Sequence, residues 1–379
     1  MKKKVAIDAS RCRSGGAIEH FQNVFCKHMH KSTEVEYFCW LSEESYLPDM
    51  HHNFKYLKIM KKKHIFWEIF WQTFRLQYLL NYYKVDLLIT IDTSSLCFFR
   101  PQISINQDLM PYEVFNEGLK KLSNKERLRL LVVRCFSAFN MKVANKLIFQ
   151  TKYGSRLITE KLKIKKQTYV IPHACDDIFF DITQKKQLFT SDKTISITYV
   201  SNHIFYKNHK ELIIALKNLS GSNLKIDVNF IGGGFDNSNV RKSFNDQFKN
   251  ISNLKIYFLG QLSRNSIADI FKKSSILIFA SSCESFGITL LEKMASSIPL
   301  ACSNKSSLPE LIGYEYPYFF DPKNSESIYL AIINIINDYE LSKKHGLMNR
   351  EKSKKFKWKK ISEEYHKIIY KNVGLSKKE

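Results

Sequence analysis

The chain has 379 residues, 44% of them apolar and 25% charged. That is enough to bury the cores of two domains, and it excludes a disordered chain, a fibre and a small disulfide-stapled scaffold. Lys and Arg number 59 against 36 acids, a net of +23, and the excess is concentrated: residues 120–166 hold 14 Lys/Arg and 2 acids, and residues 343–379 hold 13 and 4. Such stretches point to a polyanionic partner, either nucleic acid or an anionic membrane face, and charge alone does not choose between them. The eight cysteines are scattered with no C-x-x-C pair, which predicts free thiols in a reducing compartment. The opening MKKKVAIDASRC has no apolar signal-peptide core, and no window reaches the length of a spanning helix. The expectation is a cytoplasmic protein.

Short β-rich runs alternate with helical patterns in chain order. Runs at Val5–Ala9, Val35–Leu41, Val85–Ile91, Ile103–Asn106, Lys146–Gln150 and Tyr169–Ile171 form a first series. Runs at Ile195–Val200, Ile226–Ile231, Ile256–Leu259, Ile276–Phe279 and Pro299–Cys302 form a second. Helical periodicity falls between them at Ile65–Tyr83, Lys125–Ala144, Lys210–Leu219, Ser263–Phe271 and Thr289–Ser296. Near-continuous apolar strands alternating with helices predict two parallel sheets covered on both faces. The predicted division is residues 1–174, a linker at 175–193, a second α/β domain at 194–356, and a C-terminal helix with a basic tail at 357–379. Open parallel sheets bind ligands at the carboxyl ends of their strands, so two such domains are expected to face each other across a cleft.

The segment SSCESFGITLLEKMASS, Ser281–Ser297, carries the most chemical information. A strand ends in a small polar loop and a helix begins near Gly287, so the amides of Phe286, Gly287, Ile288 and Thr289 fall where a helix N-terminus holds phosphate. Glu292, more than a turn into the helix, has the position to accept both hydroxyls of a ribose. Glu284, at the loop tip, has the position to bind a sugar beyond the phosphates. The spacing alone fits a capped amphipathic helix with solvated glutamates equally well.

Glu284, Phe286, Gly287 and Glu292 match the E-x-F-G-x(4)-E signature of the family 4 retaining glycosyltransferases, which have the GT-B fold of two Rossmann-like domains. The opening IDASRCRSGGAIEH resembles that family's first strand and glycine loop. Tyr206-Lys207-Asn208 resembles its lysine motif, Ile231-Gly232-Gly233-Gly234 its glycine turn, and Val170-Ile171-Pro172-His173 the segment leading into its linker. The resemblance implies transfer of a sugar from a nucleoside diphosphate donor (UDP- or GDP-sugar) to a hydroxyl acceptor, with no metal and no other cofactor. It implies Gly15, Gly16 and Lys207 on the diphosphate, and a C-terminal helix crossing back to the N-terminal domain. That crossing would join the two basic stretches into one face toward an anionic membrane. The resulting expectation is a peripheral enzyme at the inner face of the membrane, acting on a lipid-linked glycan.

Two positions depart from the family pattern. Ser201 stands where many members carry an arginine, and Gln107 where many carry a histidine. Asp108 remains as a group to position the acceptor or take its proton, or else simply caps a turn. As single motifs, Gly15-Gly16 also fits an ordinary turn and Lys207 a solvated lysine. A non-catalytic nucleotide-sugar-binding protein on the same fold stays open. A nucleic-acid-binding protein would explain the charge, but no nucleic-acid-binding signature accompanies it.

Overall fold

The computed structural model describes residues 2–12, 16–28, 34–42, 54–59, 65–113, 122–182, 194–235, 237–249 and 251–375. They form two compact units, Met1–Ala174 with Phe356–Glu379, and Cys175–Lys355.

The N-terminal unit carries seven parallel strands: β1 (Lys3–Ala9), β2 (Val35–Ser42), β3 (Phe54–Ile59), β4 (Leu87–Thr90), β5 (Gln102–Asn106), β6 (Lys146–Phe149) and β7 (Thr168–Val170). Their order is β3-β2-β1-β4-β5-β6-β7. Its helices are α1 (Gly16–Phe21), α2 (Ile65–Phe70) and α3 (Gln77–Tyr82) joined by a π-helical stretch (Trp71–Leu76), α4 (Met110–Glu113), α5 (Asn124–Val143) and α6 (Lys152–Leu162). Every residue of β4 and β5 is buried, as expected of central strands covered on both sides. Alternation then sorts side chains to the two faces. Val5, Ile7, Ile89, Ile103 and Ile105 point to one layer, where the helix Trp358–Asn372 inserts Trp358, Ile361, Tyr365 and Ile369. Ala6, Phe38, Trp40 and Leu88 point to the other, beneath Trp71, Leu76 and Leu80. Helix α5 lies on this second face, because Ser104, which alternates with Ile103 and Ile105, donates to Asn140 Oδ1 at 2.5 Å. The strand β3 has no strong sequence signal: FKYLKI intersperses lysines among its apolar residues, and it sits at the sheet edge where such a pattern is tolerated.

The C-terminal unit carries β8 (Thr194–Val200), β9 (Lys225–Ile231), β10 (Leu254–Phe258), β11 (Ile276–Phe279), β12 (Leu300–Ser303) and β13 (Phe319–Phe320), in the order β10-β9-β8-β11-β12-β13. Its helices are α7 (His209–Asn218), α8 (Ser238–Phe248), α9 (Arg264–Lys273), α10 (Ile288–Ala295), α11 (Leu308–Ile312), α12 (Ser325–Asn337) and α13 (Tyr339–Ser353). All pairings in both sheets are parallel, and the strand order turns back at β8–β11 as in other doubly wound folds. The last helix of the chain, α14 (Trp358–Asn372), returns to the N-terminal unit. There the Ser362 hydroxyl donates to Val24 O at 2.7 Å and to His28 O at 3.1 Å.

Two expectations need correction. Residues 175–182 are not a free linker but part of the C-terminal unit. Phe179 and Ile182 are fully buried, and Arg350 donates to Phe180 O and Ile182 O. Within the N-terminal unit, the basic residues of α14 also do not join those of α5 on one face. The stretch 343–379 is divided between the units at Lys355/Phe356, and α14 covers the opposite face of the N-terminal sheet from α5. A helix this amphipathic buries its apolar stripe wherever a complementary apolar layer is open, and that layer belongs to Val5 and Ile7. Among the described residues no helix is long and apolar enough to cross a membrane.

Candidate active site

The predicted donor residues of the C-terminal unit converge. The turn after β8 places Lys207: Asn208 takes the left-handed conformation (φ +52°), and its side-chain Nδ2 donates to Ala280 O at 2.7 Å and Tyr206 O at 2.9 Å. Ser282 N closes the same junction with Tyr206 O at 2.8 Å, and the Tyr199 hydroxyl holds Lys207 O at 2.7 Å. This stitching sets the lysine beside the loop that follows β11. Lys207 Nζ donates to Glu284 Oε1, with both side chains only 16% exposed. Neither is the solvated residue that spacing alone allowed.

The Glu284 loop is itself held from the following loop. Its N–H donates to Ser306 Oγ at 3.0 Å, and the hydroxyls of Ser306 and Ser307 donate to Glu284 O at 2.9 and 2.8 Å. Gly287 then starts α10 at φ +92°, a conformation that costs glycine little, and a Cβ there would press on Leu308 at 3.1 Å. The N-cap residue of α10, Gly287, has no side chain with which to cap the helix. Its leading amides and dipole therefore form an anion-receptive end beside Lys207.

Glu292 is 3% exposed and bonded to Arg264 Nη2, while Arg264 Nη1 donates to Asp176 Oδ2 at 2.6 Å. Burial pushes the Glu292 carboxyl above the usual range, and the Arg264 guanidinium pulls it back. Solvated glutamates are thus excluded at this position too. Gly232 (φ +142°) forms the tight turn after β9, because a Cβ there would meet Ser201 O at 2.3 Å.

The predicted residues of the N-terminal unit are placed differently. Gly16 is the first residue of α1, and Gly15 lies outside the described residues. Asp108 is exposed and accepts from Met110 N at 2.8 Å, so it caps α4. Gln107 donates to Ile91 O at 3.1 Å. Sequence reasoning missed Arg264, Asp176, Ser306 and Ser307. Only the Ser-Ser pair near a left-handed turn (Ser306, φ +60°) leaves a local signal.

Two parallel doubly wound sheets in one chain are the architecture of the GT-B fold. Residues 180–352 match the model of the family described as glycosyl transferases group 1. An uncharacterized glycosyltransferase of Methanocaldococcus jannaschii is 26% identical over 298 residues, 75% of this chain and 78% of that protein. Among solved structures, Anabaena HepE in complex with UDP and glucose superposes with a TM-score of 0.67 at 14% identity, over 97% of this chain and 99% of its own. WaaG, a glycosyltransferase involved in lipopolysaccharide biosynthesis, superposes with a TM-score of 0.70 at 14% identity, over 96% and 99%.

Proposed function

We propose that this chain is a retaining glycosyltransferase that moves a sugar from a nucleoside diphosphate sugar to a hydroxyl acceptor in the assembly of a surface polysaccharide or glycolipid. The observation that carries the reading is the Lys207–Glu284 pair at the foot of the uncapped α10. A diphosphate binding to the amides of Phe286–Thr289 would compete with Glu284 for Lys207, and the released carboxylate would be left to hydrogen-bond the donor sugar. Glu292, held by the Arg264 guanidinium, is the ribose acceptor. The described residues supply no dedicated nucleophile in this constellation, which fits a front-face displacement through an oxocarbenium-like transition state. In that step the bond from the anomeric carbon to the diphosphate oxygen breaks. The acceptor oxygen bonds on the same face, and the departing diphosphate takes the acceptor proton. Lys207 and the helix amides then stabilise charge as it develops on the leaving group. Gly15, Gly16 and Asp108 belong to the same proposal as donor and acceptor contacts of the N-terminal unit.

HepE, which holds UDP and glucose, supports the donor class, and WaaG supports the polysaccharide setting. The proposal includes peripheral association with an anionic membrane face through the N-terminal unit. Along α2–α3, Phe70, Phe74, Tyr78 and Tyr82 recur every four residues at 49%, 62%, 57% and 67% exposure, and α5 exposes Leu128, Leu131, Val132 and Phe139 among arginines. Exposed aromatics and aliphatics flanked by cations suit the bilayer interface. Lys61–Lys63, just before α2, lie outside the described residues. The chemistry is tested by release of nucleoside diphosphate from a panel of UDP-, GDP- and ADP-sugars. Lys207→Ala should cut turnover by on the order of 10²–10³, and near-normal turnover in that variant would remove Lys207 from the mechanism.

A further inference from the structure

Lys293 has no part in the chemistry above, yet it is one of the least accessible cations in the chain, at 0% exposure. Its ammonium stands 5.1 Å from the centre of the Phe279 ring and 5.7 Å from that of Phe271, and donates to Thr289 O at 3.4 Å. Among the described residues no carboxylate is within ion-pairing distance of it. Burying an ammonium without a carboxylate is unfavourable, and two aromatic faces offset only part of that. A methionine would fill the same space without the charge. The charge is also not remote from the site. Lys207 Nζ lies 5.8 Å from the centre of the same Phe279 ring, so the two ammonium groups are separated by no more than the sum of the two distances. Thr289, which receives the Lys293 hydrogen bond, lies in the first turn of α10, the turn assigned to phosphate.

We infer that Lys293 is a buried second cation of the diphosphate site, acting through its field rather than by contact and supplying positive charge where Ser201 replaces the family's arginine. The inference rests on the donor-site reading above. Lys293 is therefore a positioning residue: it touches no substrate, and it raises the potential at the end of α10 and beside Lys207. In a poorly solvated interior such a field is screened far less than at the surface. The charged and titratable groups facing it are Glu292 on its own helix, Lys207 from the turn after β8, Glu284 from the loop before α10, and Cys302 on β12. Burial lowers its pKa to about 8, with Lys207 lowering it further and Glu292 and Glu284 opposing. A bound diphosphate would raise it again, so binding takes up a proton above about pH 8 and affinity falls as pH rises.

The test compares wild type with Lys293→Met by calorimetry against UDP and uridine, with GDP and guanosine as the parallel pair, at pH 7 and pH 9. At pH 7 the variant should keep its Tm or gain, lose on the order of tenfold in diphosphate affinity, and keep its nucleoside affinity within about twofold. Wild type should lose diphosphate affinity between pH 7 and 9 more steeply than the variant. Equal diphosphate affinity in the two proteins, or identical pH profiles, overturns the inference while leaving the donor site standing. If the variant also loses the nucleoside, Lys293→Gln is measured in the same way. Joint loss in both variants overturns the inference, because Lys293 would then be holding the fold. A wild type that binds no nucleotide overturns the donor-site reading and this inference with it.

Discussion

Arg264 shows what a sequence read residue by residue does and does not disclose. Lys207, Glu284 and Glu292 are legible because each sits in a short segment whose spacing has a chemical meaning, and Gly287 because the helix must begin there. Arg264 meets Glu292 across 28 residues of sequence and Asp176 across 88, contacts that only the fold creates. The Ser306 contact to Glu284 spans 22. Asp108 illustrates the converse: its Oδ1 accepts from Met110 N, a contact that both readings of that carboxylate allow. Removing Arg264 should leave Glu292 buried without its cation. Such losses cost 3–5 kcal/mol for fully buried pairs. With Arg264 about one-third exposed, Arg264→Met should cost roughly 2 kcal/mol in urea unfolding. Adding Glu292→Gln should recover most of that, since a neutral amide tolerates the site better. A single variant as stable as wild type would show that the pair contributes nothing.

At the scale of elements, periodicity served well where one face is clearly apolar. The run Ile65–Tyr83 predicted a helix, and α2, the π-helical stretch and α3 occupy it. The spacing of Phe70, Phe74, Tyr78 and Tyr82 drifts around an ordinary α-helix by about 40° per step. The wider π-helical turn between Trp71 and Leu76 works against that drift. Ring centres lie 5.6 Å apart for the tilted Phe70–Phe74 pair and 6.2 Å apart for the stacked Tyr78–Tyr82 pair along the exposed side. Helix α5, opened by a Ser123–Glu126 capping box, presents Leu128, Leu131 and Val132 on the same side of the sheet. These two helices, rather than α5 with α14, form the surface proposed to meet a membrane. Phe74→Ser with Tyr78→Ser should reduce co-sedimentation with anionic vesicles at low salt by about tenfold, since both rings leave the interface. Thermal stability should stay unchanged, because both side chains are exposed. Wild type that ignores anionic vesicles, or variants that bind as well, would contradict the assignment.

For the whole molecule, strand alternation made two parallel sheets predictable, and the division into units follows the change from the first strand series to the second. The return of α14 to the N-terminal unit was legible through the family resemblance, but the face of the sheet it covers and the packing of residues 175–182 were not, because both depend on which apolar layer is left uncovered after the rest has folded. The two units are joined where residues 174 and 175 meet and again at residues 355 and 356. Every donor-site contact described above lies within the C-terminal unit. Nucleotide binding by that unit is therefore the central requirement, and calorimetric titration of UDP, GDP and ADP into wild type and Glu292→Gln tests it most directly. The prediction is one preferred nucleotide whose affinity falls at least about tenfold in the variant. No binding at millimolar concentration, or equal binding by both proteins, would contradict it.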